Sequence, residues 1–218
     1  MGRRWLVVTA DIIGSRHIEP RQALRATVVE ALDEFNRTWA GDVAVPFSLS
    51  AGDELQGVVR PGPFAFAMVR RLRWAMRRLP LKPVARLRVG VGWGAIDTSL
   101  SESRSWEMDG PAFHLARAAL EKAWAAGGEA TRFACSDPLH TRWVDVALAL
   151  VDALMGRWTT AQWQAVDAYE RLGTYAAAAK ELGIALQNVQ KRCATARWPV
   201  VCEAERWLGE SLGSPSQE

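Results

Sequence analysis

The stretch Ser48–Val59 limits the folds open to this chain more than any other segment. Val45, Phe47 and Leu49 alternate with smaller or polar residues, and Leu55, Val58 and Val59 form a second apolar run. Between the runs sits Ala51-Gly52-Asp53-Glu54. Two short strands around a Gly-containing turn predict a β-hairpin, so the chain must build a sheet. The turn also carries two adjacent carboxylates. A related feature lies upstream, where the apolar run from Trp5 to Ile13 is interrupted by Asp11 and followed by Gly14-Ser15. Singly, Asp11 and Asp53 read as ordinary turn or hairpin acids. If their strands are neighbours, the two acids converge, and a cation held by that pair and by phosphate oxygens is the chemistry they suit.

The remaining periodicities supply an order of elements. Ala23, Leu24, Val28, Ala31, Leu32 and Phe35 recur at helical spacing after Glu19-Pro20, a suitable helix start. Gly62-Pro63 predicts the start of a second helix, with Phe64, Ala67, Met68, Leu72, Ala75, Met76 and Leu79 inward. Arg70, Arg71, Arg73, Arg77 and Arg78 crowd that helix, and a solvated face is expected for such a run. Val84–Ile96 reads as a strand with Leu87, Val89, Val91 and Trp93 on one face and Gly90, Gly92 and Gly94 on the other, where a helix or a ligand can approach closely, helix packing being the simpler reading. The glycine spacing is not that of a dinucleotide fingerprint. Helices are predicted after Gly110-Pro111 and after the cap Asp137-Pro138, with a short strand at Thr131–Cys135 between them. The order β-α-β-β-α-β-α-β-α fits an α/β (α+β) ferredoxin-like or palm-type domain, with the hairpin beside the first strand. From Trp158 the pattern is all-helical: Thr159-Thr160 to Leu172, Tyr175–Leu182, Ala185–Trp198, then a short tail helix after Pro199. The expected division is residues 1–157 and 158–218.

Composition excludes several classes. Of 218 residues, 49% are hydrophobic and 23% charged, an ordinary globular balance, and the net charge of +3 argues for neither nucleic acid nor membrane. No apolar run reaches membrane-spanning length, and the N-terminal run is broken by Asp11, unlike a signal peptide. Cys135, Cys193 and Cys202 have no metal-ligand spacing and read as reduced thiols of a cytoplasmic protein. His17, His114 and His140 are scattered and predict no zinc site.

Four segments, Val8–Ser15, Ala51–Gly57, Arg88–Gly94 and Asp109–Ala116, resemble in order the core motifs of class III nucleotide cyclases. They resemble more closely the SatD family, which joins a cyclase-like domain to a helix-turn-helix. This likeness covers roughly positions 5–135. Thr159–Trp198 resembles the DNA-reading C-terminal domain of sigma factors. The first resemblance implies that Asp11, Asp53 and the Ile12 carbonyl hold Mg²⁺ or Mn²⁺, that Gly14, Ser15 and Gly52 meet a bound nucleotide, and that the chain is a homodimer. It departs from the cyclase pattern where an Asn and an Arg four positions later stabilise the transition state, because His114 and Ala118 stand there. Arg117 is one residue off, about 100° around a helix. No catalytic residue is assigned on this basis.

The second resemblance implies DNA contacts from Gln187, Asn188, Gln190, Lys191, Arg192 and Arg197, residue types that read base edges or phosphates. Six basic and seven acidic residues from Trp158 onward weigh against strong non-specific binding. Ala185 replaces the usual capping Ser or Thr, at a cost of about 1 kcal/mol. The expectation from sequence is a DNA-binding transcriptional regulator whose cyclase-like domain senses a nucleoside triphosphate, a cyclic nucleotide or Mg²⁺. The alternative is a divergent nucleotidyl cyclase or phosphoryl-transfer enzyme with an appended helix-turn-helix.

Overall fold

A computed structural model describes residues 3–18, 21–50, 52–100 and 104–212. The elements run β1 (Arg4–Ile12), α1 (Arg21–Thr38), β2 (Val43–Leu49), β3 (Glu54–Val59), α2 (Ala67–Arg77), β4 (Leu87–Ala95), α3 (Pro111–Ala126), β5 (Thr131–Cys135) and α4 (Pro138–Met155). Four further helices follow: α5 (Thr160–Leu172), α6 (Tyr175–Leu182), α7 (Leu186–Thr195) and α8 (Trp198–Ser211). The first nine elements appear in the expected order. The expected helix start at Glu19-Pro20 lies outside the described residues.

β1 is the centre of a five-stranded sheet ordered β2-β3-β1-β4-β5. It pairs antiparallel with β3, Asp11 opposite Glu54, and with β4, Asp11 opposite Arg88. β5 joins β4 in parallel. Leu6, Val8, Ala10 and Ile12 face a core shared with α1, α2 and the end of α8. Trp5 and Val7 face the other way, against Ala112, Phe113 and Ala116 of α3. That contact depends on glycine: a Cβ added at Gly92 would stand 2.1 Å from the Ala112 carbonyl oxygen, and one at Gly90 2.3 Å from that of Ala116. The alanines of α3 therefore lie on the bare backbone of β4.

Side chains cover parts of both sheet edges. On β2, the Asn36 amide accepts from the Phe47 N–H and donates to its carbonyl, each at 2.8 Å. On β5, three alternate N–H groups point at α4: Thr131 donates to Asp152, Phe133 to Asp145, and Cys135 to the Thr141 hydroxyl. The donors of the β5 edge are thereby taken, which disfavours strand addition there.

The arginines of α2 correct the expectation of a solvated face. Arg70, Arg71 and Arg73 are buried. Arg70 bonds Glu170 of α5 and Glu205 of α8, Arg71 bonds Glu170 and Asp42, and Arg73 pairs with Asp152 of α4. Burial alone would raise the Glu170 carboxyl, but the Arg70 and Arg71 guanidiniums outweigh it and hold the group at about 2. The indole of Trp198 covers Arg70 at 4.5 Å, and that of Trp39 covers Arg71 at 3.7 Å. Periodicity places these residues on a helix but cannot show that acids 100 and 135 positions away will cover them.

α5, α6 and α7 pack around Trp158, Trp163, Val166, Val189 and Cys193. Thr159 and Thr174 cap α5 and α6 as their sequence positions imply, and Ala185 offers α7 no side-chain cap. Three boundaries differ. α2 begins at Ala67 after a turn, so Phe64 is exposed rather than inward. α7 ends at Thr195, with Arg197 left-handed at φ 55°. Pro199 sits in the first turn of α8, where a missing N–H costs nothing, so it opens a 14-residue helix instead of breaking one.

Candidate functional site

The site forms where β1 ends beside the hairpin turn. Gly14 takes a left-handed conformation at φ 69°, which turns the chain after β1 and brings the Ser15 hydroxyl back to donate to the Asp53 carboxylate. The Asp53 carbonyl accepts from the Ile12 N–H at 3.4 Å. Arg25 of α1 donates to the Ser50 carbonyl at 2.7 Å, and the Gly52 N–H donates to the Ser50 hydroxyl. The turn carrying Asp53 is thus tied to β1, to its own first residue and to α1.

Asp11 extends from the α3 face of β1, where its carboxylate accepts from Arg88 at 3.3 Å and from the Trp124 indole. Its acid is raised above the usual carboxylate value, first by burial and next by the negative charge of Asp53. Trp124 and Arg88 offset this only in part. Glu54, opposite Asp11, accepts both terminal nitrogens of Arg117 at 2.8 and 2.7 Å. Arg117, the residue one position off the cyclase pattern, is therefore committed to Glu54. His114 is exposed and reaches Asp109 at 3.1 Å.

A cavity of about 310 Å³ opens on the α1 side of this corner. Its walls include Ile12, Ser15, Leu24, Val28, Leu49, Gly52 and Asp53, with Arg16 and Arg25 at the rim. Apolar residues line one part and a carboxylate with two guanidiniums the other, a division suited to a ligand with a flat apolar end and an anionic end.

The structure sets Ile12, Ser15, Gly52 and Asp53 in the cavity wall, with Gly14 in the adjoining turn, whereas Asp11 extends from the opposite, α3 face of β1 and is not part of that wall. Ser15 faces Asp53 directly. Arg88, Trp124 and the Glu54–Arg117 pair escape the sequence reading, because cross-strand register and the packing of α3 decide them. Among the described residues, no three or more His, Cys, Asp or Glu side chains group as a metal cage. No described helix is long and apolar enough to cross a membrane. Cys135, Cys193 and Cys202 are unpaired thiols, and burial pushes Cys193 up to about 11.

The residues expected to meet DNA lie on other elements than this corner. Gln187, Asn188, Gln190 and Lys191 are exposed on α7, Arg192 is half-buried, and Arg197 stands in the α7–α8 junction.

The chain belongs to the SatD family, whose model matches residues 5–196. No curated protein matches it. One solved structure that matches is the diguanylate cyclase SiaD of Pseudomonas aeruginosa in complex with its activator SiaC. The two share 17% identity at a TM-score of 0.45, over 60% of this chain and half of that one. The expected DNA-binding transcriptional regulator is corrected by the family match, which runs through the sheet and α5–α7 as one unit. The physical counterpart is the ion-pair cluster that fastens α5 and α8 to α2, which makes the C-terminal helices part of the body that carries the acidic corner.

Proposed function

We propose that this protein is a divalent-metal-dependent phosphoryl-transfer enzyme of the nucleotidyl-cyclase type, acting on a nucleoside triphosphate. The observation that carries this reading is the approach of Asp53, held by Ser15 and the Ile12 backbone, to Asp11 at one sheet end, where its negative charge helps to raise the Asp11 acid. The donor set fits Mg²⁺ or Mn²⁺, which bind through one or two carboxylates and complete their shell with phosphate oxygens. When bound, the ion neutralises phosphate charge and activates the attacking ribose hydroxyl. Ser15 orients Asp53, and Arg88 orients Asp11. Arg16 and Arg25 at the rim meet the phosphates, while Leu24, Val28 and Leu49 receive the base. Asp11 and Asp53 belong to one chain, so a homodimer is not needed to assemble the pair. The helix-turn-helix order of α6 and α7 serves in this reading as scaffold.

A second reading, nucleotide binding without turnover, is favoured by a specific observation. Ala118 carries no charge and Arg117 is held bidentate by Glu54, so neither position supplies the expected transition-state cation. Thermal melts with each ribonucleoside triphosphate, with and without Mn²⁺, followed by a product assay, separate the readings. A saturating ligand at about 100 times its dissociation constant adds about 2.7 kcal/mol. A Mn²⁺-dependent shift with cyclic or dinucleotide product supports the enzyme. A shift without product supports the binding reading, and no shift with any triphosphate removes both.

A further inference from the structure

The outer face of α4 carries a run of exposed apolar side chains that the fold leaves unexplained. Its inner face is spent: Val144, Leu148, Val151 and Met155 are buried, and Thr141, Asp145 and Asp152 bond the β5 edge. On the outer face Leu139, Trp143, Val146 and Leu150 are 64%, 64%, 50% and 65% exposed. Their spacing of four, three and four residues is the 3.5-residue repeat of a helix seam that packs against another helix. We infer that α4 is a self-association helix, whose seam Leu139–Trp143–Val146–Leu150 packs antiparallel against the same seam of a second copy about a two-fold axis at Val146.

The occupant follows from three observations. First, the seam is self-complementary. With the axis at Val146, Trp143 meets Ala149 of the second copy and Leu139 meets Ala153, a large residue opposite a small, exposed one at these two levels, while Leu150 lies against the aliphatic stem of Arg142. Second, Arg142 is the charged residue of the outward face between Leu139 and Ala153. The antiparallel arrangement separates the two copies of it by roughly 12 Å along the axis, where a parallel one would place them side by side. Third, Trp207 of α8, 59% exposed, lines a groove with Leu139, His140 and Trp143 and extends the patch. These apolar side chains leave roughly 600 Å² to bury per copy, about 1,200 Å² for the pair, the lower end of stable interfaces. This inference stands on α4 and is independent of the nucleotide site.

Sedimentation equilibrium of the full chain tests it, with Trp143→Glu and Val146→Cys variants. The wild type is expected to be a dimer at micromolar concentration, and Trp143→Glu to weaken it roughly thirty-fold, the scale of an interface hot spot. The residue is exposed, so the variant's far-ultraviolet spectrum should match the wild type, and its melt should match that of wild type diluted to monomer. Val146→Cys, on the axis, should cross-link under mild oxidation well above the background from the natural cysteines. A wild-type monomer, a dimer indifferent to Trp143→Glu, or no extra cross-link from Val146→Cys overturns the assignment. So does a monomer that binds anionic phosphatidylserine vesicles through Trp143, which would give the seam to a lipid surface.

Discussion

Around Arg70, each guanidinium that leaves water meets a carboxylate; around Asp11, a carboxylate leaves water facing another carboxylate. The first region joins Arg70, Arg71 and Arg73 to Glu170, Glu205, Asp42 and Asp152. The second gathers Asp11, Asp53 and Glu54 with two guanidiniums, one already bound bidentate to Glu54. Opposite charges in the first region hold helices of the C-terminal unit against α2. Like charges in the second gain nothing for the fold, which is what a site reserved for a cation looks like.

Breaking the first region should have the largest effect. Arg70→Ala leaves Glu170 and Glu205 facing each other out of water, and urea melts should show about 3–5 kcal/mol of lost stability. A loss below about 1 kcal/mol would mean the cluster is solvated in solution and the comparison fails. Next comes the site itself. Asp53→Asn keeps an acceptor for Ser15 yet removes half of the acidic pair, so it should abolish the Mn²⁺- and triphosphate-dependent shift of about 2.7 kcal/mol. If the shift survives, the ligand binds elsewhere.

Acid separates the regions further. The Glu170 carboxyl, at about 2 in the fold against 4.5 unfolded, contributes stability that is fully present above 4.5 and lost as pH falls toward about 2. Glu205, raised by burial, titrates in the opposite sense. Melting temperature should therefore drop across that window, and Glu170→Gln should flatten the drop while lowering the plateau. An unchanged slope would assign the acid sensitivity to other carboxylates. The smallest effect belongs to the metal-free site. Asp11, raised above 3.8, makes the fold lose stability as pH rises past that value. Asp53→Asn removes part of the cause, so the metal-free variant should be slightly more stable than wild type at neutral pH, by less than about 1 kcal/mol for a partly buried group near the surface. A clear loss instead would make Asp53 structural.

Much of the fold was legible because its signals are local. Alternation placed the hairpin, the glycines of β4 announced the approach of α3, and Asp137, Thr159 and Thr174 marked helix starts by caps that act within three residues. The same locality misled at Arg70 and Arg71, where a charge run on a helix reads alike whether water or a distant acid covers it. It also misled at Pro199, whose backbone restriction suits the start of a helix as well as its end.

By itself, then, the sequence determined the order of strands and helices, the acidic turn beside β1 and the resemblance to a cyclase-like family, because periodicity, turn chemistry and motifs are carried by neighbouring residues. Only the tertiary structure decided that Arg88 stands opposite Asp11, that Arg117 is taken by Glu54, that α2 buries its arginines against α5 and α8, and that α4 turns an apolar seam outward. Each of these joins residues that chain order keeps apart, and which of them meet is settled by register and packing, where burial makes every unpaired charge costly.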